Sequence, residues 1–397
     1  MSVKQHAAQP VQKEAAVAVI KSKSAFANHN KPKHTHWRLL WRLATLLGGV
    51  FAVNGARAVD LPEDSVDTMF HYYSGGGMTA SGPALLVRKQ VMDNLSLTGG
   101  YYVDSVTNAS IDVVTTASPF HETRTEYSVG ADYVVRDSKV SFSASSSHEP
   151  DYIAKSTGMD ITQETFGGMT TVNLGFTRGE DQIYKHHAPE FSDVASHWQY
   201  RFGVAQILTP RWVMSANAEI VADDGYLGSP YRIARVFGAA VPENVPRTRS
   251  SRAVELRLIG DLGDHDAVHL SYRDFWDNWN IKANTFEAGY SRYLGENWLA
   301  DVSMRYYTQG KALFYSDNAS ADTLYISRNR QLSQFHDLGF GAKLTYKLGK
   351  FQDKYDVKLN AAYQYTQFKF SDFTDIRTGA LYAYSANLVQ LYVSATF

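Results

Sequence analysis

Residues 126–135 read Glu-Tyr-Ser-Val-Gly-Ala-Asp-Tyr-Val-Val, with Tyr127, Val129, Ala131, Tyr133 and Val135 alternating with Glu126, Ser128, Gly130 and Asp132. Successive side chains of an extended strand point to opposite faces, so this stretch builds one apolar face and one polar face. Residues 298–306 repeat the device, setting Trp298, Ala300, Val302, Met304 and Tyr306 against Leu299, Asp301, Ser303 and Arg305. The alternation recurs through 212–220, 254–258, 338–346 and 357–365. Strands of soluble sheets usually run about five or six residues, whereas a tilted strand needs about nine to eleven to cross hydrocarbon. The longer stretches here suit the second case.

Sixteen such segments are predicted, the first over 65–74 and the last over 384–397. Connections after the even segments are short and turn-like, as at Met92-Asp93, Asp137-Ser138, Gly167-Gly168, Thr209-Pro210 and Gly263-Asp264-His265. Those after the odd segments are mostly longer, including 105–122, 181–194, 222–250 and 308–332. These features predict an all-β fold: a transmembrane antiparallel β-barrel of about sixteen strands, with short periplasmic turns and long extracellular loops. In lipid an open sheet would leave backbone groups unpaired, so the sheet must close. No apolar stretch of about twenty residues exists to make a spanning helix. A soluble propeller would repeat every forty or so residues, and no such period is visible.

Upstream, Leu43 to Val53 is a short apolar run between the basic residues Lys31, Lys33, Arg38 and Arg42 and the sequence Ala56-Arg57-Ala58. This predicts a secretory signal peptide over 1–58 with a long basic leading region, and a barrel over 59–397. The first 58 residues hold nine Lys and Arg against Glu14 alone, which leaves 30 basic and 39 acidic residues after cleavage. An acidic exported chain is a poor nucleic-acid partner. With no cysteine, disulfides and thiolate chemistry are excluded. No cofactor or metal motif is evident; in an extended segment the adjacent His186 and His187 are expected to point to opposite sides and so not to chelate one ion.

The 25 Tyr, 20 Phe and 7 Trp find a place at the two membrane interfaces. Trp212, Trp298 and Tyr293 flank short turns, whereas Trp276, Trp279, Tyr306 and Tyr307 lie near the opposite strand ends. The last ten residues put Val389, Leu391, Val393, Ala395 and the terminal Phe397 on one face. That pattern resembles the closing-strand signature read by the barrel-assembly machinery, which makes this machinery an expected partner beside outer-membrane lipid and lipopolysaccharide.

Three stretches carry a further resemblance: Val245 to Leu258 (VPRTRSSRAVELRL), Leu270 to Trp279 (LSYRDFWDNW), and Arg305 to Gln309 followed by Ala312 to Tyr315. They resemble a domain-of-unknown-function family of proteobacterial outer-membrane β-barrels, over nearly the whole exported chain. The resemblance implies an outer-membrane barrel and brings no catalytic or transport residue with it.

A barrel of sixteen strands is wide enough for an aqueous interior. Passage of small polar solutes, as in a porin-like or substrate-specific channel, is therefore the expected task. By alternation Arg201, Glu219, Glu255, Arg257, Arg273, Asp301 and Arg305 should face the lumen, where rows of opposite charge orient solutes. The longest loop, 222–250, combines Arg232, Arg235, Arg247 and Arg249 with the apolar run Val236 to Val241. Part of it is expected to enter the mouth and place guanidinium groups at a constriction, or else to contact lipopolysaccharide phosphates. Two other classes stay open: a structural barrel or docking sleeve for an exported partner protein, and an outer-membrane hydrolase. His197, His269 and His336 lie on or beside strands, but no nucleophile motif accompanies them.

Overall fold

The computed structural model describes residues 60–108, 120–185, 188–351 and 354–397. The predicted signal peptide and the His186-His187 pair lie outside these residues. The strands are β1 (Ser65–Gly75), β2 (Met78–Met92), β3 (Leu95–Asn108), β4 (Phe120–Val135), β5 (Ser138–Glu149) and β6 (Tyr152–Thr165). There follow β7 (Thr170–Tyr184), β8 (Ser192–Thr209), β9 (Trp212–Gly225), and the short β10 (Ile233–Val236) and β11 (Ala239–Pro242). The remainder are β12 (Thr248–Gly263), β13 (Asp266–Asp277), β14 (Lys282–Leu294), β15 (Trp298–Gln309), β16 (Phe335–Phe351), β17 (Tyr355–Thr374) and β18 (Leu381–Thr396). One single-turn helix, Arg330–Leu332, precedes β16.

Each long strand pairs antiparallel with its chain neighbour, and β18 closes on β1 from Ser65↔Thr396 to Gly75↔Ala386. The two short strands form a separate hairpin, so β9 pairs directly with β12 and the closed barrel has sixteen strands, as the alternation predicts. Closure leaves no unpaired edge.

Burial is inverted relative to a soluble domain. Tyr127, Val129, Phe142, Val302, Met304 and Leu391 are all exposed on the outer face. The opposite face is polar or small: the register aligns Asp132 with Ser141, and Ser141 in turn with Asp160. A serine run on β5 (Ser141, Ser143, Ser145, Ser147) thus lines the lumen beside a row of exposed outer residues.

At the turn end, Asp264 and His265 both take positive φ, 50° and 74°, the geometry of a type I′ hairpin turn. The loop end is less regular than the sequence suggests. Gly76 and Gly77, at φ 59° and 80°, close the β1–β2 hairpin in two residues, because glycine adopts the left-handed region without steric penalty. Pro150 and Asp151 do the same between β5 and β6. Among the described residues, loop length is concentrated in 226–247 and 310–334.

Those two loops fold together at the mouth. Trp279, Tyr315, Leu332, Phe370 and Phe373 are buried in one cluster, against which Phe335, Phe368, Tyr382 and Tyr384 pack. Here the lumen-facing aromatics of β16, β17 and β18 meet loop 310–334, making a small hydrophobic core inside the rim.

Candidate functional site

The seven residues expected to line the lumen stand on its face, on β8, β9, β12, β13 and β15, because their chain neighbours Tyr200, Ile220, Leu256, Tyr272, Val302 and Met304 face outward. Arg201 Nη2 meets both carboxylate oxygens of Asp160 at 3.0 Å, while Nη1 donates to Thr177 Oγ1 at 2.9 Å and Gln199 Oε1 at 2.7 Å. Gln199 passes the contact on, its Nε2 donating to Glu219 Oε1 at 3.0 Å. The other Glu219 oxygen faces Arg273 Nη2 at 3.8 Å. A connected polar belt therefore crosses β6 to β13.

Glu255 lies opposite Arg273 in the register and Arg257 opposite Ser271. Two strands beyond β13, Arg305 Nη1 on β15 donates to Asp337 Oδ1 on β16 at 2.6 Å, and its guanidinium sits 5.1 Å from the Tyr307 ring centroid. Asp301 accepts from Ser291 Oγ at 2.5 Å and stands 4.0 Å from Lys343 Nζ. The candidates do not converge on a point; they form pairs around the circumference.

Several lumenal groups lie beyond those the alternation singled out. His197 on β8 bridges two neighbours, with Nδ1 at 2.8 Å from Asp223 Oδ1 on β9 and Nε2 at 2.7 Å from Asp181 Oδ2 on β7. Tyr152 also donates to Asp181. Both ring nitrogens of His197 are thus occupied by carboxylates, which leaves neither to activate a serine. His71 stacks on Tyr102 and contacts Asp104 at 3.0 Å. The register that assembles these groups joins separate strands, so spacing in one strand could not reveal it.

Charge is divided around the wall. Strands β3 to β9 contribute Asp104, Glu126, Asp160, Asp181, Glu219 and Asp223 to the lumen, while Arg257, Arg273, Arg305, Lys343 and Lys358 stand on β12 to β17. The first arc also carries Arg124 and Arg201 and the second Glu255, Glu287, Asp301 and Asp337, so acids outnumber bases in the first while the second is mixed.

In the loop expected to form a constriction, the arginines are committed to neighbours. Arg232 Nη1 lies 3.4 Å from Glu243 Oε2, and Arg235 Nη2 reaches Gly238 O at 3.5 Å across the β10–β11 turn. Arg247 grips Asp193 with two bonds of 2.7 and 2.8 Å, and this carboxylate raises the Arg247 pKa further. Arg249 donates to Asp277 from Nε at 2.8 Å and Nη2 at 2.7 Å, and its guanidinium lies 4.8 Å from the Trp279 ring. The apolar run forms the β10–β11 hairpin: Ala234 and Val236 pack on Ile326, while Phe237 at the tip is 73% exposed.

The segment lying against the lumenal wall is 310–334. Gln309 Nε2 on β15 donates to the carbonyls of Gln331 and Ser333, both at 2.8 Å. The Arg330 guanidinium sits 5.8 and 5.3 Å from the rings of Tyr382 and Tyr384 on β18. Arg328 donates from Nε to Asp317 O at 2.9 Å and from Nη2 to Thr374 O at 2.6 Å, over the Phe373 ring. At the turn end, Phe397 N donates to Asp64 O at 3.0 Å and its ring lies 5.4 Å from Tyr355.

A model of the family described as "Protein of unknown function (DUF3570)" matches residues 66–190 and 181–369. The chain belongs to that family. No curated protein matches it. Among solved structures it is similar to the siderophore receptor PirA from Pseudomonas aeruginosa (10% identity, TM-score 0.44, 80% of this chain and 60% of that one). It is also similar to a bacterial polysaccharide outer membrane secretin (10%, 0.47, 84% and 98%) and to OmpT, an outer membrane protein of Vibrio cholerae (10%, 0.44, 87% and 100%). The chain spans about 60% of the length of the siderophore receptor. The architecture is a closed, sixteen-stranded antiparallel β-barrel with an apolar outer face.

Proposed function

We propose that this protein resides in the outer membrane and carries small polar solutes through its lumen. The observation that supports this reading is the polar belt of Arg201, Asp160, Gln199, Glu219 and Arg273, followed two strands further round the wall by the Arg305–Asp337 pair. Fixed charges of opposite sign on a water-filled wall select solutes by charge and orient their dipoles. Because the β3–β9 arc is predominantly acidic, a net cation preference is expected, with loop 310–334 narrowing the path at the mouth. The loop arginines, each engaged by a carboxylate, a carbonyl or an aromatic ring, brace the rim in this reading. The terminal Phe397 strand is what the assembly machinery would engage, and outer-face aromatics meet lipid.

The aromatic core inside the rim favours a second reading, a structural or docking barrel for an exported partner, in which the mouth stays filled. Swelling of liposomes containing the refolded barrel separates the two. Entry of small sugars and amino acids at rates above protein-free liposomes supports the channel; swelling indistinguishable from protein-free liposomes favours the docking barrel.

A further inference from the structure

We propose that Glu122, Glu149 and Asp151 form a divalent-cation site, suited to calcium, at the loop end of the barrel wall. Glu122 stands near the top of β4, Glu149 ends β5, and Asp151 occupies the two-residue turn into β6. One carboxylate oxygen of each lies within 4.8 Å of the other two. Ligands about 2.3–2.6 Å from one calcium ion stand at most about 5 Å apart, so this is the spread of oxygens around a common centre.

Asp151 is the decisive member. It is 2% exposed, and neither of its carboxylate oxygens has a donor at hydrogen-bonding geometry. The Tyr231 side chain faces it from the 226–247 loop. A buried carboxylate is retained in proteins when a donor, a counter-charge or a metal satisfies it. Three oxygen donors with no nitrogen or sulfur favour a hard cation over transition metals. Calcium tolerates the irregular geometry of such a site and fills its remaining positions with water, whereas magnesium demands a near-ideal octahedron. The bound ion would tie the tops of β4 and β5 to the turn into β6 and, through Tyr231, to the long loop.

The test is titration of the refolded full chain in detergent with terbium(III), reading luminescence sensitised by tyrosine, followed by competition with calcium and with magnesium. The expected result is a saturable signal displaced by calcium at lower concentration than magnesium, with affinity weakened roughly tenfold or more in D151N and E149Q. Heat-modifiable gel mobility establishes that each variant is folded. Should both fail to fold, calorimetric titration of the wild-type chain decides: one calcium per chain supports the site, and no binding overturns it. A signal that does not saturate, or one that folded D151N and E149Q leave unchanged, also overturns it.

Discussion

Arg201 on β8 holds Asp160 on β6 across an intervening strand, with Nη2 at 3.0 Å from both carboxylate oxygens, and the residue between them in the register is Gly175. A Cβ at Gly175 would lie 2.2 Å from Asp160 Oδ1 and 2.8 Å from Arg201 Nε. Glycine is therefore what lets the pair form, and the pair is what anchors one end of the polar belt.

Gly175→Ala should push the guanidinium off Asp160 and destabilise the barrel by about 1–3 kcal/mol, the usual cost of forcing a methyl group into a filled site. Urea unfolding from lipid vesicles measures this. An unchanged midpoint would show that the pair relaxes around the methyl group without loss.

The Arg305–Asp337 pair is more deeply placed, with Asp337 2% exposed. Removing only the arginine strands a carboxylate in a poorly hydrated position, so Arg305→Met should cost about 3–5 kcal/mol. The double variant R305M/D337N should recover most of that loss. Equal destabilisation in the single and double variants would mean that the arginine matters for packing on Tyr307 and not for its charge.

Acid should loosen the turn end. Asp64 lies before β1, and hydrogen bonds from Lys89 and the Gln90 amide hold its carboxyl below the ordinary value of 3.8. A depressed folded-state pKa contributes stability above the unfolded value, and that contribution is lost as pH falls through the folded value. The contact is therefore intact at neutral pH and fades below about pH 4. Carboxyl NMR of the barrel in micelles should show Asp64 titrating below 3.8 in the wild type and closer to it in Lys89→Ala. Identical titration in the two proteins would remove Lys89 as the cause.

Phe373 is fully buried at the centre of the mouth core. Phe373→Ala should cost about 3–5 kcal/mol locally and free loop 310–334 from the wall. Limited trypsin digestion should then cut at Lys311, Arg328 or Arg330 faster than in the wild type. Unaltered cleavage would show that Arg328 and Gln309 hold the loop without the aromatic core.

How far the sequence revealed this structure depends on the range of the interaction. The sixteen strands were legible because lipid on one side and water on the other write a period of two into each segment, as in Tyr127 to Val135. The lumenal face of Arg201, Glu219 or Asp301 follows from the same parity. Their partners do not: Asp160 is 41 residues from Arg201, and only the register brings them together. His197 was visible as a residue, but its bracketing by Asp181 and Asp223 belongs to three strands at once. For the mouth, the apolar run Val236 to Val241 drew attention to the 222–250 loop. The segment against the wall, 310–334, is held by backbone carbonyls and ring faces that leave no compositional mark.

The most direct test of lumenal passage is single-channel recording of the refolded chain in a planar bilayer, comparing wild type with a variant in which residues 313–329 are replaced by a short Gly-Ser linker. The account predicts discrete, cation-preferring conductance in the wild type and a larger, less selective current in the variant. Absence of current from both proteins, each shown to be folded and inserted, would contradict passage through the lumen.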